Sequence, residues 1–147
     1  MLPNMCLREI KNRCQFLFHS YKYNLSANPL DGSWHHIAVV WKLLDIKGEL
    51  YVDGTFMWEF TNYNWSPQNL SGYLFIGQSL HDQSAWSGTG SFIGLITSFN
   101  MWNYQLSKIE IASQGCETQG NMFQWHEIIA RENLFGEVKL LHPSSCM

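Results

Sequence analysis

The chain has 147 residues, of which 46% are hydrophobic and only 14% are charged, and its formal net charge is −3. This composition indicates one folded domain with a packed core and argues against a disordered chain. The charge gives no electrostatic reason to expect nucleic acid or an anionic membrane as a partner, and no apolar run approaches the roughly 20 residues that span a bilayer.

The first 30 residues form a segment without a clean hydrophobic period. They begin with MLPNMCLREIKNRCQFLFHS, which has no uninterrupted apolar stretch and carries charges where a signal peptide would be apolar. No signal peptide is therefore predicted in this chain. The stretch CQFLFHSYKYNLS predicts one strand with Phe16 and Phe18 on one face. We treat 1–30 as an N-terminal segment of undefined structure and expect the folded domain to occupy 31–147.

A turn and a strand follow. NPLDGSW has the composition of a turn, and HHIAVVWK predicts a strand. Period-two alternation puts Ile37, Val39 and Trp41 on one face, and His36, Ala38 and Val40 on the other. Both faces are mostly apolar, which is typical of a strand covered by layers on both sides. Because neighbours on a strand point to opposite faces, His35 and His36 do not suggest a metal site. His36 is expected to be a packed, hydrogen-bonded core residue.

A β-hairpin is the clearest local prediction. In GELYVDGTFMWEF two β-rich runs flank Asp53-Gly54, a dipeptide suited to a two-residue turn in which both central residues need positive φ. Leu50 and Val52 are expected on one face of the first strand. The return strand is expected to place three aromatic side chains on one face: Phe56, Trp58 and Phe60.

Two polar, turn-rich stretches at 61–72 and 79–91 predict surface loops, with the short buried strand YLFIG between them. FIGLITSFNMW then predicts a long strand, or two strands joined at a bend, with a bulge or close backbone approach at Gly94. Ser107 and Glu110 have the spacing of a capping box and Gly115 is expected to end the short helix. GNMFQWHEI and GEVKLL are again strand-like. Six or more short strands with one helix predict an antiparallel β-sandwich.

The cysteines show neither CxxC pairing nor zinc-ligand spacing. Cys116 and Cys146 bracket the C-terminal segment, and a disulfide between them would close a loop of about 30 residues, worth roughly 3–4 kcal/mol in the chain-entropy model. The alternative is buried free thiols, and the pairing of Cys6 and Cys14 stays open. N-glycosylation sequons at Asn24, Asn64 and Asn69 favour a secreted context.

Five segments occur in a familiar order: DGSWHHIAVVWK, GELYVDG, YLFIGQ, FIGLITSFNMWNYQLSKIEI and CETQGNMFQW. Their order and spacing resemble the pentraxin-like branch of the laminin-G and concanavalin-A-like jelly rolls. The resemblance covers about residues 31–125 and implies a jelly-roll β-sandwich with one short helix. It also implies that three residues of the fourth segment that match the family motif stabilise the fold rather than bind ligand, namely Gly94, Phe99 and Trp102.

Departures from the family pattern bear on function. Ala38 stands where the family has a disulfide-forming cysteine, so that bridge cannot form. In the loop that resembles the calcium site, Asp82 is the one anionic ligand and Gln83 a neutral one, whereas calcium takes six to eight oxygens. The resemblance also finds no family front strands before Asp31. Either residues 1–30 replace them or the chain is a fragment or truncated isoform.

The function implied by the resemblance is a non-enzymatic extracellular recognition or adhesion module, part of a larger secreted or cell-surface protein. It would bind protein or glycan through its loops, with Trp65, Trp86 and Asp82 as the ligand-binding candidates. No cofactor is assigned with certainty; calcium is the one considered, and the depleted acidic loop argues against it. The alternative is a calcium-dependent pentraxin lectin that binds glycans or phospholipid headgroups as a ring oligomer, with Asp82 and Gln83 at the metal. Catalysis is not expected, because Glu49 and Asp53 form the one close acidic pair on a strand face and no third residue supports them.

Overall fold

A computed structural model of the chain describes residues 5–10, 13–18, 21–24, 31–42, 47–61, 76–77, 92–115 and 118–130. The chain divides into two compact units, Met1–Ile93 and Gly94–Met147. The first unit contains the β-sheets and the second contains the helices of the described residues.

The N-terminal segment forms a three-stranded antiparallel meander. Strands β1 (Met5–Ile10), β2 (Arg13–Phe18) and β3 (Tyr21–Asn24) pair in the order β1-β2-β3. The sequence predicted one strand here, which was too few. Aromatic residues are favoured in strands, and the register places Phe16 opposite Tyr23 and Phe18 opposite Tyr21. Residues 1–30 therefore contribute a sheet of their own.

The β1–β2 register settles one question about the cysteines. Cys6 is opposite Leu17 and Cys14 is opposite Glu9, so the two cysteines are three register positions apart. At about 3.3 Å per residue their Cα atoms are separated by roughly 10 Å, and a disulfide needs less than about 7 Å. Cys6 and Cys14 cannot bridge each other in this hairpin.

The second sheet supplies most of the buried core. Strands β4 (Ile37–Lys42), β5 (Lys47–Val52) and β6 (Thr55–Thr61) pair antiparallel in the order β4-β5-β6. The register confirms the predicted faces of β4 and β5, since Ile37 pairs with Val52 and Val39 with Leu50. Strand β5 is buried on both faces, as expected for a central strand. The buried hydrophobic residues of this sheet are Val40, Leu50, Tyr51, Val52 and Phe60.

The hairpin between β5 and β6 has the predicted turn. Asp53 has φ +52° and Gly54 has φ +72°, so both central residues are in the left-handed region that a two-residue hairpin turn requires. Aspartate tolerates this region better than most residues because its short polar side chain can hydrogen-bond locally.

A β-bulge in β6 makes one prediction wrong. Leu50 pairs with Trp58 and Tyr51 pairs with Phe56, so Met57 falls between the two pairs. The extra residue shifts the alternation by one position. Trp58 and Phe60 therefore share a face, as predicted, but Phe56 lies on the opposite face, where its ring meets that of Tyr51 edge-on at 5.7 Å.

The stretch predicted as a long strand is not one. From residue 92 to 100 the backbone is irregular, and within the described residues only Met101 forms a bridge, to Phe123. Ser98 has φ +54°, a conformation that cannot continue a strand. Asn100 then ties this segment to the following one, donating through Nδ2 to the Ser98 and Thr118 carbonyls and accepting from the Gly120 N–H.

Two short helices occur in the second unit. Helix α1 (Lys108–Ala112) has the predicted capping box of Ser107 and Glu110, but it ends at Ala112 with Ser113 as its C-cap, before Gly115. Helix α2 (Trp125–Ala130) occupies residues predicted as strand. Trp125, Ile128 and Ile129 have the i, i+3, i+4 spacing of a helix, a period that the short apolar run concealed. The strand-like GEVKLL lies outside the described residues.

Candidate functional site

The main polar cluster of the described β-sheets lies where the segment before β4 meets the tip of the β5–β6 hairpin. His35 is held between two aspartates, with Nδ1 2.8 Å from Asp53 Oδ2 and Nε2 3.0 Å from Asp31 Oδ1. The His35 side chain is 18% exposed, while Asp31 and Asp53 are about half exposed. A single ring therefore links residues 31–35 to the hairpin turn.

Backbone hydrogen bonds fix the position of both carboxylates. Asp53 Oδ1 accepts from the His36 N–H at 2.9 Å, and the Asp53 N–H donates to the His36 carbonyl at 2.8 Å. Asp31 Oδ1 accepts from the Ser33 N–H at 2.8 Å, in a local turn. Because β4 starts one residue after His36, strand pairing places these groups beside the hairpin tip.

The cluster shifts the pKa values of its members in opposite directions. The hydrogen bond to Asp53, and next the one to Asp31, raises the pKa of His35 above its ordinary 6.5. The hydrogen bond from His35 is also the main cause that lowers the pKa of Asp31 and of Asp53 below 3.8. These directions favour an imidazolium between two carboxylates, in which both ring nitrogens donate.

This geometry is suited to holding structure rather than to catalysis. When both ring nitrogens donate to carboxylates, His35 has no free lone pair with which to take a proton or bind a metal. The two nitrogens also point to separate oxygens and do not converge on one point with other ligands. Within the described residues no group of three or more His, Cys, Asp or Glu side chains is arranged to hold a metal ion.

The prediction that His36 is a packed core residue was wrong. His36 is exposed and not packed in the core, whereas His35 is the ring that is held by hydrogen bonds. The strand begins at Ile37, so neither histidine is on it. Two sequence features could have indicated this cluster, namely the Asp-x-x-x-His spacing of residues 31–35 and the aspartate of the hairpin turn. They come together only because β4 pairs with β5.

An exposed tryptophan, Trp34, lies in the turn between Asp31 and His35. Trp34 is 58% exposed, and it precedes His35 in a turn that includes Gly32 at φ +89°. In the sequence this tryptophan belongs to the fold motif DGSWHHIAVVWK, and nothing there marked it as a binding residue. Exposed tryptophan is a common anchor in binding surfaces because it offers a large apolar face and an N–H donor.

Glu49, a member of the acidic pair considered for catalysis, is hydrogen-bonded to a tyrosine on its own strand. The hydroxyl of Tyr51 donates to Glu49 Oε2, and burial, followed by this hydrogen bond, raises the pKa of Tyr51 to about 12. Glu49 is part-buried. The second member of the acidic pair, Asp53, is bound to His35, so Glu49 and Asp53 do not form a free carboxylate pair.

The sequence-predicted site residues lie mostly outside the described residues. These are Trp65, Trp86, Asp82, Gln83, Cys116, Cys146, Asn64 and Asn69. Asn24 is the last residue of β3. The assignments of ligand-binding residues, calcium ligands, disulfide and glycosylation sites stay predictions. Neither helix in the described ranges is long and apolar enough to cross a membrane.

Comparison with known families agrees with the strands and hairpin described above. Residues 12–112 match the family described as the Concanavalin A-like lectin/glucanases superfamily. The chain belongs to this superfamily. Its fold is therefore a β-sandwich jelly roll, and the fold class predicted from the sequence is confirmed.

Similarity to named proteins defines the branch of the superfamily. The chain is 33% identical to human neuronal pentraxin-2 over 119 residues, which is 78% of this chain and 28% of that protein. It is 33% identical to human neuronal pentraxin-1 over 103 residues, 66% of this chain and 24% of that protein. It is 29% identical to human neuronal pentraxin receptor over 118 residues, 77% and 24% of the two chains. The domain is thus pentraxin-like, and it spans about a quarter of the length of these relatives.

One solved structure shows a distant likeness. It is an S-layer domain-containing protein from Clostridium thermocellum ATCC 27405, 22% identical, covering 74% of this chain and 54% of that chain with a TM-score of 0.44. A likeness at this TM-score carries no argument about function.

Proposed function

We propose that this chain is a non-enzymatic extracellular recognition module that binds protein or glycan ligands as part of a larger secreted or cell-surface protein. The observation that carries the proposal is the family match over residues 12–112 together with the similarity to neuronal pentraxins, one of which is named as a receptor. The three sequons and the Cys116–Cys146 pair support an extracellular location.

The geometry of the described residues supports a binding role over catalysis. Both nitrogens of His35 are hydrogen-bonded to carboxylates, and Glu49 is occupied by the Tyr51 hydroxyl. Hydrolysis of a glycoside needs a free acid and a free base or nucleophile facing one substrate bond. Neither cluster offers such a pair, so we assign the domain to recognition.

The ligand is proposed to meet the loops at 61–72 and 79–91, through Trp65, Trp86 and Asp82. Aromatic side chains provide stacking faces and a carboxylate provides hydrogen-bond acceptors, which together suit a glycan or a polar protein surface. Trp34 adds an exposed aromatic side chain to the candidates.

The test is binding of the oxidised chain to a glycan array and to an array of extracellular protein domains, in parallel with a Trp86→Ala/Asp82→Ala double variant. Tyr104→Ala is the matched control, since Tyr104 is an exposed aromatic residue of the second unit. We expect selective binding that the double variant loses and the control keeps. Unchanged binding by the double variant would refute the site, and cleavage of an arrayed glycan would refute the non-enzymatic assignment.

A calcium-dependent lectin is the second candidate, favoured by the pentraxin relatives and by Asp82 and Gln83. Thermal unfolding with calcium and with a chelator separates the two, because a ligand that binds the native state raises the midpoint. We expect a cooperative transition that calcium leaves unchanged, since Asp82 is the one charged ligand in its loop. A clear rise with calcium would favour the lectin instead.

A further inference from the structure

The two hydrogen bonds of the His35 ring differ in length and in how firmly each aspartate is held by other groups. The Asp53 carboxylate is fixed independently of the ring, because its Oδ1 accepts from the His36 N–H and its own N–H donates to the His36 carbonyl. Apart from the ring, Asp31 is held by its near neighbour Ser33, through the N–H at 2.8 Å and through the side chain. The contact to Asp53 is also the shorter, at 2.8 Å against 3.0 Å.

The hydrogen bond from His35 to Asp31 closes a turn that contains the exposed Trp34. Asp31 and His35 are four residues apart, and the residues between them are Gly32, Ser33 and Trp34. Gly32 has φ +89°, a left-handed conformation that brings the two ends of this turn together. We call residues 31–35 the Trp34 turn. Its closure depends on a proton at Nε2 of His35, because a carboxylate can only accept.

We propose that the Asp31–His35 contact is a proton-controlled clasp on the Trp34 turn, closed when both ring nitrogens of His35 are protonated and open when Nε2 loses its proton. A neutral imidazole has one N–H and one lone pair. The N–H stays at Nδ1, toward the firmly held Asp53, and the lone pair at Nε2 then faces the Asp31 carboxylate. That juxtaposition is repulsive, so Asp31 moves away and the turn opens.

The charges around the ring agree with this order of events. Asp31 faces the ring from the Trp34 turn, and Asp53 faces it from the hairpin tip. His36 lies next to Asp53, to which its N–H donates. These are the titratable groups whose action on the cluster is seen among the described residues. Both carboxylates favour the imidazolium, which moves the transition above the ordinary pKa of 6.5 for histidine. The clasp therefore links the protonation of one histidine to the ordering of an exposed tryptophan.

The test is a pH titration of the ¹⁵N-labelled chain that follows the side-chain nitrogens of His35, assigned by their loss in His35→Gln. Below the midpoint both nitrogens should show imidazolium shifts. Above it, Nε2 should take the shift of an unprotonated nitrogen while Nδ1 stays protonated. The midpoint should lie above that of a short unfolded peptide containing residues 29–37. Over the same range, ¹⁵N relaxation at Gly32, Ser33 and Trp34 should show increased motion.

Two variants test the inequality of the bonds. Asp31→Asn should lower the His35 midpoint and keep the Nδ1–H tautomer, whereas Asp53→Asn should lower it further and shift the tautomer toward Nε2–H. A neutral His35 in the Nε2–H form in the unmodified chain would overturn the clasp. So would a peptide-like midpoint, or relaxation in the turn that does not change with pH. Because the relaxation reading needs only the unmodified chain, the proposal can be tested even when a variant does not fold.

Discussion

The ring of Phe60 lies directly over Gly48 on the neighbouring strand. The two residues are cross-strand partners, and a Cβ built on Gly48 would overlap Cζ and Cε2 of the Phe60 ring, with Cε1 next at 2.9 Å. Gly48 is buried and Phe60 is 2% exposed. A glycine within a central strand usually weakens it, but here the missing side chain makes the space that the aromatic ring fills.

Gly48→Ala should therefore lower the free energy of unfolding by roughly 1–3 kcal/mol, the usual effect of adding a methyl group to a packed site. Urea denaturation of the oxidised chain measures this loss. Gly115→Ala is the matched control, since a Cβ there meets nothing within 4 Å, and its effect should be small. If Gly48→Ala were as well tolerated as Gly115→Ala, the packing of Phe60 on Gly48 would be disproved.

The His35 cluster should give stability that depends on pH. A raised His35 pKa means that its contribution is fully present below about pH 6.5 and is lost as the pH rises through the folded-state value. The lowered pKa values of Asp31 and Asp53 mean that their contribution is lost as the pH falls below about 3.8. The unmodified chain should exceed His35→Gln in stability most clearly between these limits.

Urea denaturation from pH 3 to 9 at about 0.1 M salt, where exposed charges are screened beyond roughly 10 Å, measures the difference between the two chains. A control is Asp53→Asn made in the His35→Gln background, where it should add little further dependence on pH above 6.5. A difference that grew between pH 6.5 and 9 would have the wrong sign for an imidazolium held by carboxylates.

The cap of α1 predicts a localised loss of stability. Ser107 Oγ accepts from the Glu110 N–H at 3.2 Å, and Glu110 Oε2 accepts from the Ser107 N–H at 2.7 Å. Ser107→Ala should cost about 1 kcal/mol of unfolding free energy, as for other N-cap serines. Ser107→Thr retains the acceptor and should be nearly neutral. An equal loss in both variants would mean that the hydroxyl bond does not stabilise the helix.

Substitution by aspartate should destabilise the chain strongly at Asn100 and very little at Asn103. Asn100 donates to two carbonyls, so Asn100→Asp would turn a carboxylate oxygen toward them. We expect a loss of about 2–3 kcal/mol at neutral pH, which should shrink on acidification as the new carboxyl group regains a proton. Asn103 accepts from Asn121 Nδ2 through Oδ1, which aspartate can still do, so Asn103→Asp should change stability by no more than about 0.5 kcal/mol. Thermal unfolding of both variants at pH 4 and 7 tests the pair.

The sequence predicted the local features that depend on near neighbours. The Asp53-Gly54 turn and the Ser107–Glu110 capping box are set by residue types within two to four positions, and both were found. The alternation along β4 and β5 was also correct, because a regular strand has a fixed period of two.

Features that depend on distant pairing were missed. The His35 cluster needs residues 18 positions apart to meet, and the bulge at Met57 arises from a register that no local pattern specifies. Helix α2 was read as strand because its short apolar run fits either period. Ser98 interrupted the expected long strand through a positive φ, which serine adopts too rarely to be predicted.

The extra residue in β6, Met57, determines which side chains of that strand face the core. With strict alternation from the turn, Met57 would oppose Leu50, Glu59 would oppose Gly48, and the carboxylate would take the place of the Phe60 ring in the core. The bulge leaves Met57 without a partner in the ladder. Each residue of β6 after the bulge therefore lies on the opposite face from the one that strict alternation would give it. The strand contains one residue more than its ladder uses. Because of that one extra residue, Phe60 rather than Glu59 is opposite Gly48 and is buried.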